Sequence, residues 1–318
     1  MVNTKVVITA TTVVCSFIST LALSPTCSFS EETQGLGMLF NTDIAHEQYK
    51  QGMNYAKYEL FDEAIEMFKK SLAVDPSNAD VYYNLGLAYG QKGMYDNAIS
   101  TFQKVTELQP DKIDAYYHLG TSYFDKGDFQ RAAETFKRVI QLDSEHKSAY
   151  SLLGVAYLKD GRYDDSIRAF QKRIELDPDL PMAHSNLGIA YSTKGMDKEA
   201  LIAYKKALDI NPNHEITLYN VGLLHDKAGN VDEAIRYLSM TVEVNAGNAD
   251  AQYQLGKIYM KEKRYDDAIN ALQMATMGNP DNIEAYQDLG NAYKAKGMRE
   301  KADTYFSLYE KQLRAKRR

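Results

Sequence analysis

From Ala45 onward the apolar and polar residues follow a pattern that returns every 34 residues. One period, Ala79 to Lys112, puts Tyr82, Leu85, Gly86 and Tyr89 at helical spacing, then Ala98, Phe102 and Val105 at the same spacing. A glycine parts the two halves at Gly93, Gly127, Gly161, Gly195, Gly229 and Gly297, where a left-handed helix stop favours a residue without Cβ. Asp62, Asp96, Asp164, Asp232 and Asp266 fall near the start of the second half, where a carboxylate meets free N–H groups and the positive helix end. Pro76, Pro110, Pro178, Pro212 and Pro280 end the second helix. Ser144 and Ala246 stand where that proline would be, which predicts looser turns at those two places. The phase holds without insertion through units starting at Ala45, Ala79, Ile113, Lys147, Pro181, Glu215, Ala249 and Ile283, and the eighth unit ends at Lys316. Each unit therefore predicts two helices.

Small residues at fixed places predict how the helices pair. Gly52, Gly86, Gly120, Gly154, Gly188, Gly222, Gly256 and Gly290 recur inside the first helix, where glycine costs about 1 kcal/mol against alanine. Ala64, Ala98, Ala132, Ala200, Ala234, Ala268 and Ala302 recur in the second helix, with Ser166 as the exception. Small residues on both sides would let two helix axes approach closely. Tyr55, Tyr89, Tyr123, Tyr157, Tyr191, Tyr259 and Tyr293 are expected to fill the space beside them, His225 interrupting the series.

This pattern over residues 45–316 resembles the tetratricopeptide repeat family, with its aromatic, Leu-Gly, Tyr, Ala, aromatic, Ala and Pro places. The resemblance implies an all-α fold: a right-handed superhelical solenoid of tandem antiparallel helix pairs, the first helix of each pair lining an inner groove. Its geometry also implies the groove residues. They are Tyr49, Tyr83, Tyr117, Tyr219 and Tyr253 at the fifth place of the repeat; Asn84, Asn186 and Asn220 at the sixth; and Leu87, Val155, Ile189 and Leu223 at the ninth. Tyrosine rims, an apolar floor and scattered amides suit a protein or peptide partner. Tyr and Asn are also ordinary repeat residues at these places, so unspecialised consensus is the competing explanation. A carboxylate clamp of the chaperone-adaptor type is not expected, because the fifth place never holds a basic residue.

Composition narrows the function further. A net charge of −6 lacks the basic stripe of a nucleic-acid binder. The closing RAKRR, which ends in a two-residue basic tail at 317–318, reads as cations complementing a helix C-terminus. The histidines His46, His118, His146, His184, His214 and His225 lie in different units at scattered places, and no phosphate loop or nucleophile motif occurs. No catalytic residue, metal ligand or cofactor is expected.

Residues 1–30 carry one lysine, an apolar stretch from Val6, and no acid before Glu31. This is the layout of a signal peptide, with a retained signal anchor attached to the membrane through residues 6–24 as the alternative. Residues 31–44 then form a linker. Both cysteines, Cys15 and Cys27, precede the repeats, so the body has no internal disulfide. The expectation is an extracytoplasmic (periplasmic or secreted) scaffold that takes a partner segment in the groove of an envelope or organelle assembly. The alternative is a self-assembling repeat protein that forms homo-oligomers through its terminal repeats.

Overall fold

The computed structural model describes residues 29–316, and among them every regular element is an α-helix. The leader expected over residues 1–30 lies outside the described residues except for its last two, as does the basic tail at 317–318. The chain forms two compact units, parted between Lys92 and Gly93. The first contains α1 (Phe29–Lys57), α2 (Phe61–Val74) and α3 (Ala79–Gln91). Helix α1 begins before the first repeat, so residues 31–44 are helical.

The second unit contains α4 (Tyr95–Leu108), α5 (Ile113–Lys126), α6 (Phe129–Leu142), α7 (Lys147–Lys159), α8 (Tyr163–Leu176) and α9 (Pro181–Thr193). It continues with α10 (Asp197–Ile210), α11 (Glu215–Lys227), α12 (Val231–Val244), α13 (Ala249–Lys261), α14 (Tyr265–Gly278), α15 (Ile283–Ala295) and α16 (Arg299–Lys316). Each helix packs on the next within its unit, and the first helices of successive repeats, α5, α7, α9, α11, α13 and α15, touch one another directly. Phe170 on α8, Leu187 and Ala190 on α9 and Ala203 on α10 share one buried cluster. A core of this kind belongs to neighbouring repeats jointly, so no repeat closes it alone.

The mid-helix glycines are explained by an aromatic or leucine four places beyond the recurrent alanine. A Cβ on Gly52 would lie 2.6 Å from the Phe68 ring, one on Gly154 2.6 Å from Phe170, and one on Gly290 2.7 Å from Phe306. Leu238 and Leu272 stand in the same relation to Gly222 and Gly256. The expected contact was between two small residues; the principal occupant of the glycine notch is instead this large side chain. The alanines do sit at the close approach, with Ala64, Ala132, Ala200, Ala234 and Ala268 fully buried. The exception proves compatible, because the Ser166 hydroxyl donates to the Gly154 carbonyl at 2.7 Å. Burying a Phe-sized side chain contributes about 1.5–3 kcal/mol, which offsets the glycine penalty of about 1 kcal/mol.

Turns follow the pattern with two informative departures. Gly127 has φ 87°, and the Gly127 and Asp128 amides donate to the Phe124 and Tyr123 carbonyls, both at 2.9 Å. Glu59 and Lys263 occupy the same place in the first and seventh repeats with φ 60° and 59°, so the turn survives without its glycine. The turns at Ser144 and Ala246 are not loosened as expected. Asn245 N donates to Thr241 O at 2.9 Å and Asn248 N to Asn245 O at 3.0 Å, matching the proline-bearing turn at Asn279. The reason is a side-chain turn: Asp143 Oδ1 accepts from Glu145 N, and Asn245 Oδ1 from Gly247 N, each at 3.0 Å.

Asp62, Asp96, Asp164, Asp232 and Asp266 do not act as caps, although Asp128, at the start of α6, does, accepting from the Arg131 amide. Asp62, Asp96, Asp164 and Asp266 lie inside the first turn, and each accepts from the lysine closing the next first helix: Lys92, Lys126, Lys194 and Lys296. These pairs are exposed, so each contributes at most about 1 kcal/mol; their value lies in repetition between successive repeats.

Two glycine substitutions separate packing from propensity. Gly154→Ala is expected to destabilise the protein by about 1–3 kcal/mol, because Phe170 is fully buried and cannot retreat. Gly90→Ala, in α3 with nothing near its Cβ position, is expected to stabilise by up to about 1 kcal/mol. Urea unfolding of both variants checks the pair; equal effects would contradict the assigned packing.

Candidate functional site

The exposed side of the first-helix layer carries the residues implied for partner binding. Its tyrosines are not simple rim residues. In the first unit Asn84 Nδ2 donates to the Tyr49 hydroxyl at 3.1 Å, and Tyr49 lies against Phe68 with ring centroids 6.0 Å apart. In the second unit the Tyr253 hydroxyl donates to Asp288 Oδ2 at 3.2 Å, and Tyr219 is hydrogen-bonded to Gln254. The fifth place of one repeat is therefore tied to the sixth place of the next. Tyr117 packs between the Phe136 ring, at 6.1 Å, and the His146 ring, at 5.2 Å. Tyr83 is half-buried. The hydroxyls of Tyr49, Tyr219 and Tyr253 are thus engaged within the layer.

The amides and apolar residues are more available. Asn84 and Asn220 each donate to the backbone carbonyl four residues earlier, at 2.8 Å, leaving a side-chain oxygen on the surface. Asn186 is half-buried, and its side chain makes no hydrogen bond among the described residues. Leu87 in the first unit, and Val155, Ile189 and Leu223 in the second, are all half-buried. Val155, Ile189 and Leu223 stand at the same place on α7, α9 and α11, whose direct contact sets them side by side. Thus the structure keeps the eight second-unit residues, Tyr117, Val155, Asn186, Ile189, Tyr219, Asn220, Leu223 and Tyr253, on one layer, with Tyr49, Tyr83, Asn84 and Leu87 on the first helices of the other unit.

Electrostatics mark the end of this layer. Burial, assisted by the Asp288 carboxylate, pushes the Tyr253 hydroxyl up to about 12. Burial likewise raises Asp288 above the usual carboxylate range, although Tyr253 and Lys257 oppose the shift. His118 is held below the ordinary histidine value by burial, its ring stacked 5.7 Å from Phe102. A neutral histidine stacked on a core ring is a packing residue.

Arg173 was not foreseen from the sequence. It occupies the place held by Ser71, Val105, Val139, Ala207, Thr241 and Ala275 in other repeats, with Tyr309 in the last, and is only 7% exposed. Its Nη2 donates to Asp177 at 3.1 Å, while Nε and Nη1 are buried without a partner among the described residues. The signal was legible as one long cation in an otherwise uncharged column. A second buried group without a partner, the Ser185 hydroxyl, lies on α9, the helix that packs on α8. Among the described residues no group of His, Cys, Asp and Glu could hold a metal ion, and no helix is long and apolar enough to cross a membrane.

The raised Asp288 makes a pH test. Its folded value lies above the unfolded one, so the native state holds more protons and the carboxyl's favourable contribution is lost as pH rises through the folded value. Asp288→Asn is expected to unfold at higher urea than wild type at pH 7. That advantage should shrink as pH falls into the ordinary aspartate range near about 4. A difference that ignores pH would contradict the assigned burial.

Profiles described as tetratricopeptide repeat match residues 79–112, 117–181, 181–214, 228–293 and 259–314, and one described as TPR repeat matches 59–93. No curated protein matches the chain. Among solved structures, a MamA protein is 32% identical, covering 54% of this chain and 93% of its own, with TM-score 0.52. YrrB, described as a TPR protein with an unusual peptide-binding site, is 26% identical over 58% of this chain and 96% of its own, with TM-score 0.52. The C-terminal part of a repeat protein from Cytophaga hutchinsonii shares the fold at 19% identity, covering 76% of this chain and 99% of its own, with TM-score 0.60.

Proposed function

Because this chain belongs to the tetratricopeptide repeat family, we propose that it is a non-enzymatic scaffold holding a partner segment along its first-helix layer. The observation that carries this is the row of Val155, Ile189 and Leu223 on three adjoining helices, half-buried from below and open above. The three helices touch directly and their lower faces are fixed in the shared core, so the row is set before any partner arrives. A preformed surface spares the ordering cost that a mobile one would incur on binding. The likeness to YrrB, a protein described by its peptide-binding site, supports the same reading. The leader supports placing the scaffold outside the cytoplasm, exported or anchored by residues 1–30, in an envelope or organelle assembly.

One observation favours a second reading, self-assembly through the last repeat. Phe306 is only half-buried, whereas Phe68, Phe136 and Phe170 at the same place are fully buried, and Leu308 on the same helix is 38% exposed. A further helix, from a second copy, would cover that face.

A comparative pull-down from native cells tests the proposal. The baits are wild type, a variant with Val155, Ile189 and Leu223 changed to Ser, and a second-layer control with Ile202 and Met277 changed to Ser, all verified as folded. The expected result is a partner retained by wild type and control and lost by the first-layer variant. Loss only in the control would overturn the proposal, and capture of the chain itself would favour self-assembly.

A further inference from the structure

The second place of each repeat, in the first turn of each first helix, changes character along the second unit. It is Asp114 on α5, Ser148 on α7, Met182 on α9, Ile216 on α11, Asp250 on α13 and Glu284 on α15. Acids at a helix start are explained by the helix dipole. At that place α9 and α11 instead hold Met182 and Ile216, 46% and 48% exposed; α9 has no acid in its first turn, and α11 keeps one a residue earlier, Glu215, bound by Asn245 and Asn248. Exposed apolar side chains at such a place gain nothing for the free chain. They continue the row of Val155, Ile189 and Leu223, and Leu152 on α7 extends it at a place that is polar in every other repeat.

The flanks supply the second observation. Asp114, Asp250 and Glu284 are exposed, and no ion pair joins any of them among the described residues. At the opposite ends of these helices, Lys126, Lys194, Lys227 and Lys261 are paired with Asp96, Asp164, Asp197 and Asp226. Among the described residues, charge without an ion partner on the leading edge is therefore negative at both ends of the apolar stretch, while Glu215 between them is taken up by the Asn245 and Asn248 amides.

We infer that the occupant of this layer is a protein segment with apolar anchors at its centre and Lys or Arg on both flanks. This rests on the scaffold reading and specifies its partner's chemistry. The apolar anchors cover Met182, Ile216 and the row beside them, excluding water. The flanking cations meet Asp114 at one end and Asp250 and Glu284 at the other. Rim charges of this kind steer association and set the direction of the bound segment more than they add affinity.

A random-peptide display library panned on the full chain tests the inference, with enriched peptides then measured by fluorescence anisotropy. The expected pool is enriched in Leu, Ile, Phe or Met bracketed by Lys or Arg. Its binding should weaken by about tenfold or more in Met182→Glu or Ile216→Glu, the scale of a central anchor. The double variant Asp250→Asn with Glu284→Gln should weaken it less and flatten its dependence on salt. Both sites are exposed, so these variants keep the wild-type circular dichroism. An enriched pool that is acidic or lacks apolar anchors, yet is still lost when Val155, Ile189 and Leu223 are changed, would overturn the partner chemistry and leave the scaffold reading standing. A pool indifferent to all these variants would sink both, and a library yielding no enrichment would overturn the inference.

Discussion

Everything in this chain depends on a notch. A glycine in each first helix removes the one Cβ that would collide with the ring or leucine rising from the second helix, as at Gly154 beneath Phe170. The helix loses some intrinsic stability there, and the pair gains the burial of a large side chain. Because the pair buries only part of its apolar surface, its remaining face must be covered by the next repeat. The shared cluster of Phe170, Leu187, Ala190 and Ala203 shows the step by which one notch leads to the next. Repetition is thus a physical requirement of the unit before it is an architectural habit.

Much of this was legible because repetition amplifies weak signals. A single glycine inside a helix says little, but eight in constant phase, six of them after leucine, fix the period, the pairing and the turns. What the sequence concealed was which groups use up their own hydrogen bonds. Tyr49, Tyr219 and Tyr253 read as partner-facing rims, and the structure spends their hydroxyls on Asn84, Gln254 and Asp288 of the next repeat. Nothing in local spacing reveals a bond between residues 35 positions apart. The notch occupant was similarly hidden, since the series of alanines and the series of rings recur with the same period and only geometry separates them. The turns at Ser144 and Ala246 show the converse: proline was a conspicuous signal, yet Asp143 and Asn245 held the turns without it.

The apolar row stands on α7, α9 and α11, which touch one another directly, and Tyr219 on α11 is bonded to Gln254 on α13 at one end of it. Departures from the repeat are then the informative places, because stacking alone would be served by the consensus. Met182 and Ile216 stand at a place that is acidic on α5, α13 and α15, and Leu152 at a place that is polar in every other repeat. They fall on the same three helices as Val155, Ile189 and Leu223. Arg173 is a departure of another kind, a cation placed among small core residues with two donors unmatched, and its desolvation is a cost that the repeat pattern does not require.

The most direct measurement is amide hydrogen exchange on the free chain and on the chain saturated with a tightly bound peptide. Slowed exchange is expected to concentrate in α7, α9 and α11, with the second helices α8, α10 and α12 little changed. Protection confined to the second helices, or spread evenly over the chain, would contradict the claim that the first-helix layer is where the partner lies.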